Sequence, residues 1–308
     1  MLVAMDNTLG DFLQSRRARI QPVDVGLPPY GRRRVPGLRR EEVAQLAGVS
    51  VDYYIRLEQG RGNHASDEVL DSVARVLRLD ATEQAHLRDL ARPERGRRAA
   101  RASGPAGPSE RVRPGARLLL DSITHSPALV VGLRMDVLAW NALGDAVHEL
   151  AGKGRTRNMA RRAFLDLDAS SFYPDWPAVA AETVAYLRFR AGRHPDDEQL
   201  TTLIGELCVK SGDFRRLWAD HVVKEKTHGL KRINHPIVGE LHLGYETLTL
   251  PGDPDQTIIV YTAPPGSSTA ERLAMLASWT ASERTATRPT DADTWQPSTG
   301  PRRLNPPA

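Results

Sequence analysis

The chain has one cysteine, Cys208, so no internal disulfide can staple it. Cys208 lies among apolar neighbours in "LIGELCVK", which points to a buried structural thiol rather than a nucleophile or redox sensor. Long apolar runs are also missing. "ALVVGL" and "TIIVY" fall far short of the roughly 20 residues of a membrane helix, and the first residues show no basic-then-apolar signal pattern. A cytoplasmic protein with no membrane partner is the expectation. Catalytic patterns are lacking too. "HELAG" at His148 has no second histidine, and "GKGRTR" has neither the spacing nor the Lys-Ser/Thr of a phosphate loop. His221, His228, His235 and His242 recur every seven residues, yet Gly229, Pro236 and Gly239 interrupt any helix that would align them. Neither a metal nor a cofactor is expected, and no enzyme.

Lysine is absent from the first 113 residues, which carry 20 arginines against 15 acids, whereas the remainder carries 22 bases and 23 acids. The basic excess behind the net charge of +4 therefore sits in the N-terminal third. Arginine's planar fork suits phosphate and guanine better than ammonium does, although a GC-rich genome produces the same bias.

What is present divides the chain. With 308 residues, 40% of them hydrophobic, there is material for two ordinary domains. Leu9 to Ile20 and Leu38 to about Ala91 read as short helices separated by Gly, Ser and Asp signals, which predicts an all-α unit over residues 1–92. "RPERGRRAARASGPAGPSERVRPG" is too poor in apolar residues to fold alone and reads as a flexible linker over 93–115. Residues 116–280 mix helices with strands, and 281–308 read as a disordered tail. The fold class expected is α+β.

Within the second unit, "ALVVGLRMDVLAWN" predicts a hairpin turning at Met135 and Asp136. Asp175 caps a helix that places Ala180, Val184 and Leu187 on one face, and the next helix aligns Leu200, Leu203, Ile204 and Leu207. Phe214, Leu217, Trp218 and His221 share a third helical face. "IVGELHL" and "YETLTL" read as strands, "PGDPDQ" as a turn-rich connection, and "TIIVYTA" as a strand apolar on both faces, of the kind covered on both sides.

"LRREEVAQLAGVSVDYYIRLEQG" predicts two helices closely coupled around Gly48. The first turns Val43, Ala44 and Ala47 inward; Gly48 supplies a left-handed turn, and Ser50 caps the second. Tyr54 and Leu57 then face inward and leave Val51, Asp52, Tyr53 and Arg56 outside. This is the geometry of a helix-turn-helix whose second helix enters the DNA major groove. Arg39, Arg40 and Arg56 are candidates for phosphate or base contacts, and Asp52 either stabilises the helix dipole or accepts from cytosine. Arg32, Arg33 and Arg34, in "GRRRVPG", are placed to grip phosphates or a narrow minor groove.

This stretch resembles the helix-turn-helix of XRE-type, phage-repressor-like regulators, through its Gly-Val-Ser turn and Leu-Glu-x-Gly ending. The second unit is similar to the ligand-binding domain of MmyB-like regulators through "NMARRAFLD", "YPDW", "ETVAYLR", "FRRLWADH", "THGLKRINHPIVGELHL" and "YETLTLPGDPDQTIIVYTA". The resemblance implies a transcription factor that binds double-stranded operator DNA at the nucleoid through the N-terminal domain. It further implies a PAS-like C-terminal domain that accommodates a small apolar ligand of fatty-acid type. Trp140 and Trp218 are core aromatics or line the cavity, and Arg188, Asn158 and His221 are candidate donors to a carboxylate, with internal caps or ion pairs as the alternative.

A homodimer is expected, holding its recognition helices about 34 Å apart or a multiple of that. Because the linker is too flexible to transmit a push, the pairing of C-terminal domains is the expected signal. The rival readings are a DNA-binding adaptor that recruits a protein and an enzyme fused to a DNA-binding module. No convergent acid, base and nucleophile set supports the enzyme.

Overall fold

Capping chemistry sets the ends of the N-terminal helices in the computed structural model, which describes residues 8–28, 36–61, 65–91, 111–152, 154 and 156–287. The Thr8 hydroxyl accepts from the Asp11 N–H at the start of α1 (Leu9–Arg19). Helix α2 (Arg40–Ala47) stops at Gly48, whose φ of 70° is left-handed. The Ser50 hydroxyl accepts from the Tyr53 N–H at 3.1 Å to open α3 (Val51–Glu58). Helices α4 (Asp67–Val76) and α5 (Ala81–Ala91) complete the unit. Phe12, Leu13, Val43, Tyr54, Leu57, Leu70 and Leu87 form its core, each contributing roughly 1.5–3 kcal/mol by burial.

The second unit opens with α6 (Pro114–Ser122), beginning inside the expected linker. Strands β1 (Ala128–Val131) and β2 (Val137–Trp140) form the expected hairpin, with Met135 in the left-handed region at φ 67°. A helical excursion follows: α7 (Ala142–His148), α8 (Met159–Leu165), the short α9 (Ala169–Phe172), α10 (Trp176–Arg193), α11 (Glu198–Lys210) and α12 (Gly212–Ala219). The chain returns through β3 (His228–His235), β4 (Gly239–Leu250) and β5 (Asp253–Thr262) to α13 (Ser268–Thr287).

These strands form an antiparallel sheet in the order β2-β1-β5-β4-β3. Strand β5 lies at the centre, and its two apolar faces are both used: Ile259 and Tyr261 point to the helices of the excursion, whereas Ile258 and Val260 point to α6. The domain is α+β, a sheet with most of its helices on one face.

The structure differs from the expectations at several elements. "IVGELHL" and "YETLTL" are one strand, and β5 already begins at Asp253, which leaves a tight turn at Pro251 and Gly252. Helix α12 ends at Ala219, so His221 leaves the apolar face and sits in a turn with φ 51°. Strand β3 was not expected, because its inward positions are Lys231, Ile233 and His235 and only the isoleucine is apolar. Helix α13 runs to Thr287, into the expected tail.

Candidate functional site

Helix α3 presents what a recognition helix needs. Val51, Asp52 and Arg56 are exposed, Tyr53 is half-buried, and Ser50 is committed to its cap. Behind them Glu58, buried, accepts from Arg17 Nε and Nη2 at 3.2 and 3.0 Å and from Arg40 Nε at 3.0 Å, tying α1, α2 and α3 together. Arg40, expected at DNA, thus turns its guanidinium to Glu58 while staying half-exposed. Arg39 is exposed at the start of α2, its backbone N–H donating to Glu42. Arg32, Arg33 and Arg34 lie outside the described residues.

The expected ligand residues do not converge on one site. Asn158 caps α8: its Oδ1 accepts from the N–H groups of Ala160 and Arg161, and its Nδ2 donates to the Arg134 carbonyl and the Asp136 carboxylate. Those bonds use the whole amide. Trp140 is half-buried on β2, with the Arg157 guanidinium 4.9 Å from its ring centroid. Arg188, Trp218 and His221 do come together, at the seam between the two domains. Arg188 is fully buried, with its guanidinium 4.0 Å over the Trp218 ring; it donates to the Trp218 carbonyl and lies 3.2 Å from His221 Nδ1.

From the DNA-binding side, Arg16 Nη2 donates to the His221 carbonyl and Arg19 Nη2 to the Asp220 carbonyl, each at 2.6 Å. The His86 imidazole of α5 lies so close to Gly192 of α10 that a Cβ there would come within 2.4 Å of the ring. Arg193 pairs with Asp89 at 3.7 Å, and Phe189 and Val223 of the C-terminal domain lie in the N-terminal core. Burial and neighbouring guanidinium groups push His86 down to about 3 and His221 down to about 4, so both are neutral at physiological pH. Burial lowers Arg16 and Arg188 to about 10. The domains therefore meet through direct packing, a coupling that the expectation of a flexible linker, whose residues 93–110 lie outside the described ones, did not suggest.

A second buried polar group lies where sequence reasoning placed nothing. Lys231, 5% exposed, projects from β3 toward the helices, its ammonium 5.6 and 5.7 Å from the ring centroids of Tyr173 and Tyr245. Lys226 stands 5.0 Å over the same Tyr245 ring. Tyr245 and Tyr261 are cross-strand partners on β4 and β5, and Tyr261 lies 5.3 Å from His148 of α7. Burial, with the charge of Lys226, drives the Lys231 ammonium well below its ordinary range, and burial likewise raises Tyr245 to about 12. Nothing in the local sequence marks Lys231, because a lysine in "HGLKRINH" reads as surface.

Cys208 is buried, and burial raises its thiol to about 11, as a structural cysteine requires. The four histidines spaced by seven are dispersed: His228 and His235 lie at opposite ends of β3, His242 on β4 and His221 at the seam. Among the described residues, no helix is long and apolar enough to cross a membrane.

The helix-turn-helix and the α+β domain each match a known family, and the two together define a ligand-responsive transcription regulator. Residues 112–276 match the family model described as the MmyB-like transcription regulator ligand binding domain, and residues 8–87 match a helix-turn-helix domain. The first match spans more than half of the chain, which belongs to the MmyB-like transcription regulator family. No curated protein matches the chain. The helix-turn-helix implies DNA as partner, and the second domain a small-molecule ligand.

Proposed function

We propose that the chain is a homodimeric regulator of the cytoplasm and nucleoid, whose PAS-like C-terminal domain takes a fatty-acid-like acyl ligand and passes its occupancy to the DNA-binding domain. The observation that carries this reading is the seam. Trp218 belongs to the C-terminal core and stacks on Phe214, the Arg188 guanidinium stacks on Trp218, and Arg16 of α1 holds the turn that follows α12. A change in core packing thus reaches α1 within a few side chains, while the exposed face of α3 stays clear for DNA. Coupling of this kind needs two arrangements that the ligand stabilises unequally. The sheet order and the helical excursion on one face support the PAS-like reading. Exposed Leu118 and Leu119 on α6 support a second copy as partner.

The experiment begins with duplexes selected from random DNA by the intact chain, then titrates them with and without dodecanoate, alongside sedimentation. The expected outcome is dimeric, salt-sensitive, sequence-selective binding whose affinity changes roughly fivefold or more with the acid. Selective binding that ignores the acid while the acid is bound would remove ligand control. Absence of any preferred sequence would remove operator recognition.

A further inference from the structure

The helix-covered face of the sheet is apolar along Ile233, Leu241, Leu243 and Ile259, and Lys231 interrupts it. A buried ammonium normally has a carboxylate partner, because its desolvation otherwise goes uncompensated. Here the acid that acts on Lys231 is Glu182, and Glu182 is shared with Lys224 at 3.7 Å and the Tyr245 hydroxyl at 3.5 Å. Lys226 adds a second positive charge. The cluster therefore sets three lysines, Lys224, Lys226 and Lys231, against the one carboxylate of Glu182, and burial disfavours the charged form of Lys231 until an anion arrives.

The same place holds polar atoms with no hydrogen-bond partner. The Tyr261 hydroxyl and both nitrogens of His148 are buried and unpaired, although each of these residues is 0% exposed. Native interiors leave few such atoms, and each lacks its compensating bond. His148 is held neutral by burial and by the charges of Arg162 and Lys231, so one of its nitrogens carries a proton to donate. The Lys231 amine beside Tyr245, the Tyr261 phenol across from Tyr245 and the His148 imidazole 5.3 Å from Tyr261 thus follow one another at the edge of an apolar core, and each can donate.

We propose that this cluster is the anion-binding pole of the ligand site, with Lys231 and the Tyr261 hydroxyl receiving a carboxylate whose apolar chain continues into the core beside Ile233 and Ile259. The assignment rests on the reading of an acyl ligand made above and names the group that distinguishes an acid from its neutral analogues. It moves the carboxylate donor away from Arg188, Asn158 and His221, which are held at the seam and at a helix cap. An ion pair formed in this dry setting gives the acid a large advantage over a neutral head group.

The test titrates the intact chain with dodecanoate, dodecanol and methyl dodecanoate, for the wild type and for Lys231→Met, Lys231→Arg and Tyr261→Phe. The wild type is expected to bind the acid at least about tenfold more tightly than the alcohol or ester. Lys231→Met should remove that preference and leave the alcohol within about twofold of its wild-type affinity, and Lys231→Arg should restore part of it. Without ligand, Lys231→Met should melt no lower than wild type, because it removes a buried amine whose desolvation opposes folding. Tyr261→Phe, which deletes only the unpaired hydroxyl, should weaken the acid severalfold. Equal affinities for acid and alcohol in the wild type, or a preference that survives Lys231→Met, would overturn the anchor. If none of the three compounds binds, the acyl reading itself falls and the anchor with it.

Discussion

Glu58 shows how much one buried carboxylate can organise. It accepts from Arg17, itself 7% exposed, and from the half-exposed Arg40. Glu58→Ala would leave the Arg17 guanidinium buried with its charge uncompensated, at a cost of about 3–5 kcal/mol. Arg40→Ala removes a solvent-screened pair and should cost about 1 kcal/mol or less. Urea unfolding of the two variants should therefore separate them clearly. Similar losses would place the Glu58 charge in solvent rather than in the core. The leucine-glutamate pair of "LEQG" thus has its apolar member in the core and its acidic member as the clasp of three helices.

At the scale of an element, α5 contributes His86 to the seam, where it faces Arg16, Arg188 and His221. In the folded chain His86 titrates near 3, and in an unfolded chain near 6.5. Between those values the unfolded chain holds the additional proton, so stability is lost as pH falls below about 6.5. His221, with a folded value of about 4, acts in the same direction. At pH 5 the loss from His86 alone is roughly 1–2 kcal/mol relative to pH 7.5. Denaturation midpoints at the two pH values, for wild type and for His86→Phe, measure it: the wild type should lose stability on acidification and the variant should lose less. Equal losses would mean that His86 stays solvated.

For the whole molecule, the seam decides whether the DNA-binding domain reads the state of its neighbour. Gly192→Ala tests this without deleting any side chain, because the new methyl would stand 2.4 Å from the His86 ring. Alanine favours a helix over glycine by about 1 kcal/mol, so any loosening must arise at the contact between domains. Hydrogen exchange of the intact chain should quicken in α1, α5 and the turn around His221. The effect of dodecanoate on operator affinity should shrink toward zero while both ligand and DNA still bind. Unchanged exchange together with an unchanged ligand effect would return the coupling to the pairing of C-terminal domains.

Local chemistry specifies the helix-turn-helix, its Gly48 turn and Ser50 cap, the β1–β2 hairpin and the apolar faces of α10 and α11, and all of these are legible in the residue order. Turns, caps and periodicity depend on neighbours within a few residues, and at these elements they match the structure, although Asp175 stands at the start of α10 without a side-chain capping bond. The family was legible for the same reason, in short motifs. Where polar residues end up once distant elements meet is set instead by tertiary packing. Arg188, Trp218 and His221 looked like pocket residues from their apolar neighbours, but α1 and α5 lie against them and make them part of the seam. No local pattern marks Lys231, which the pairing of β3 with β4 turns beneath the helices. Burial of a charge depends on contacts between segments far apart in the chain, so no local pattern records it.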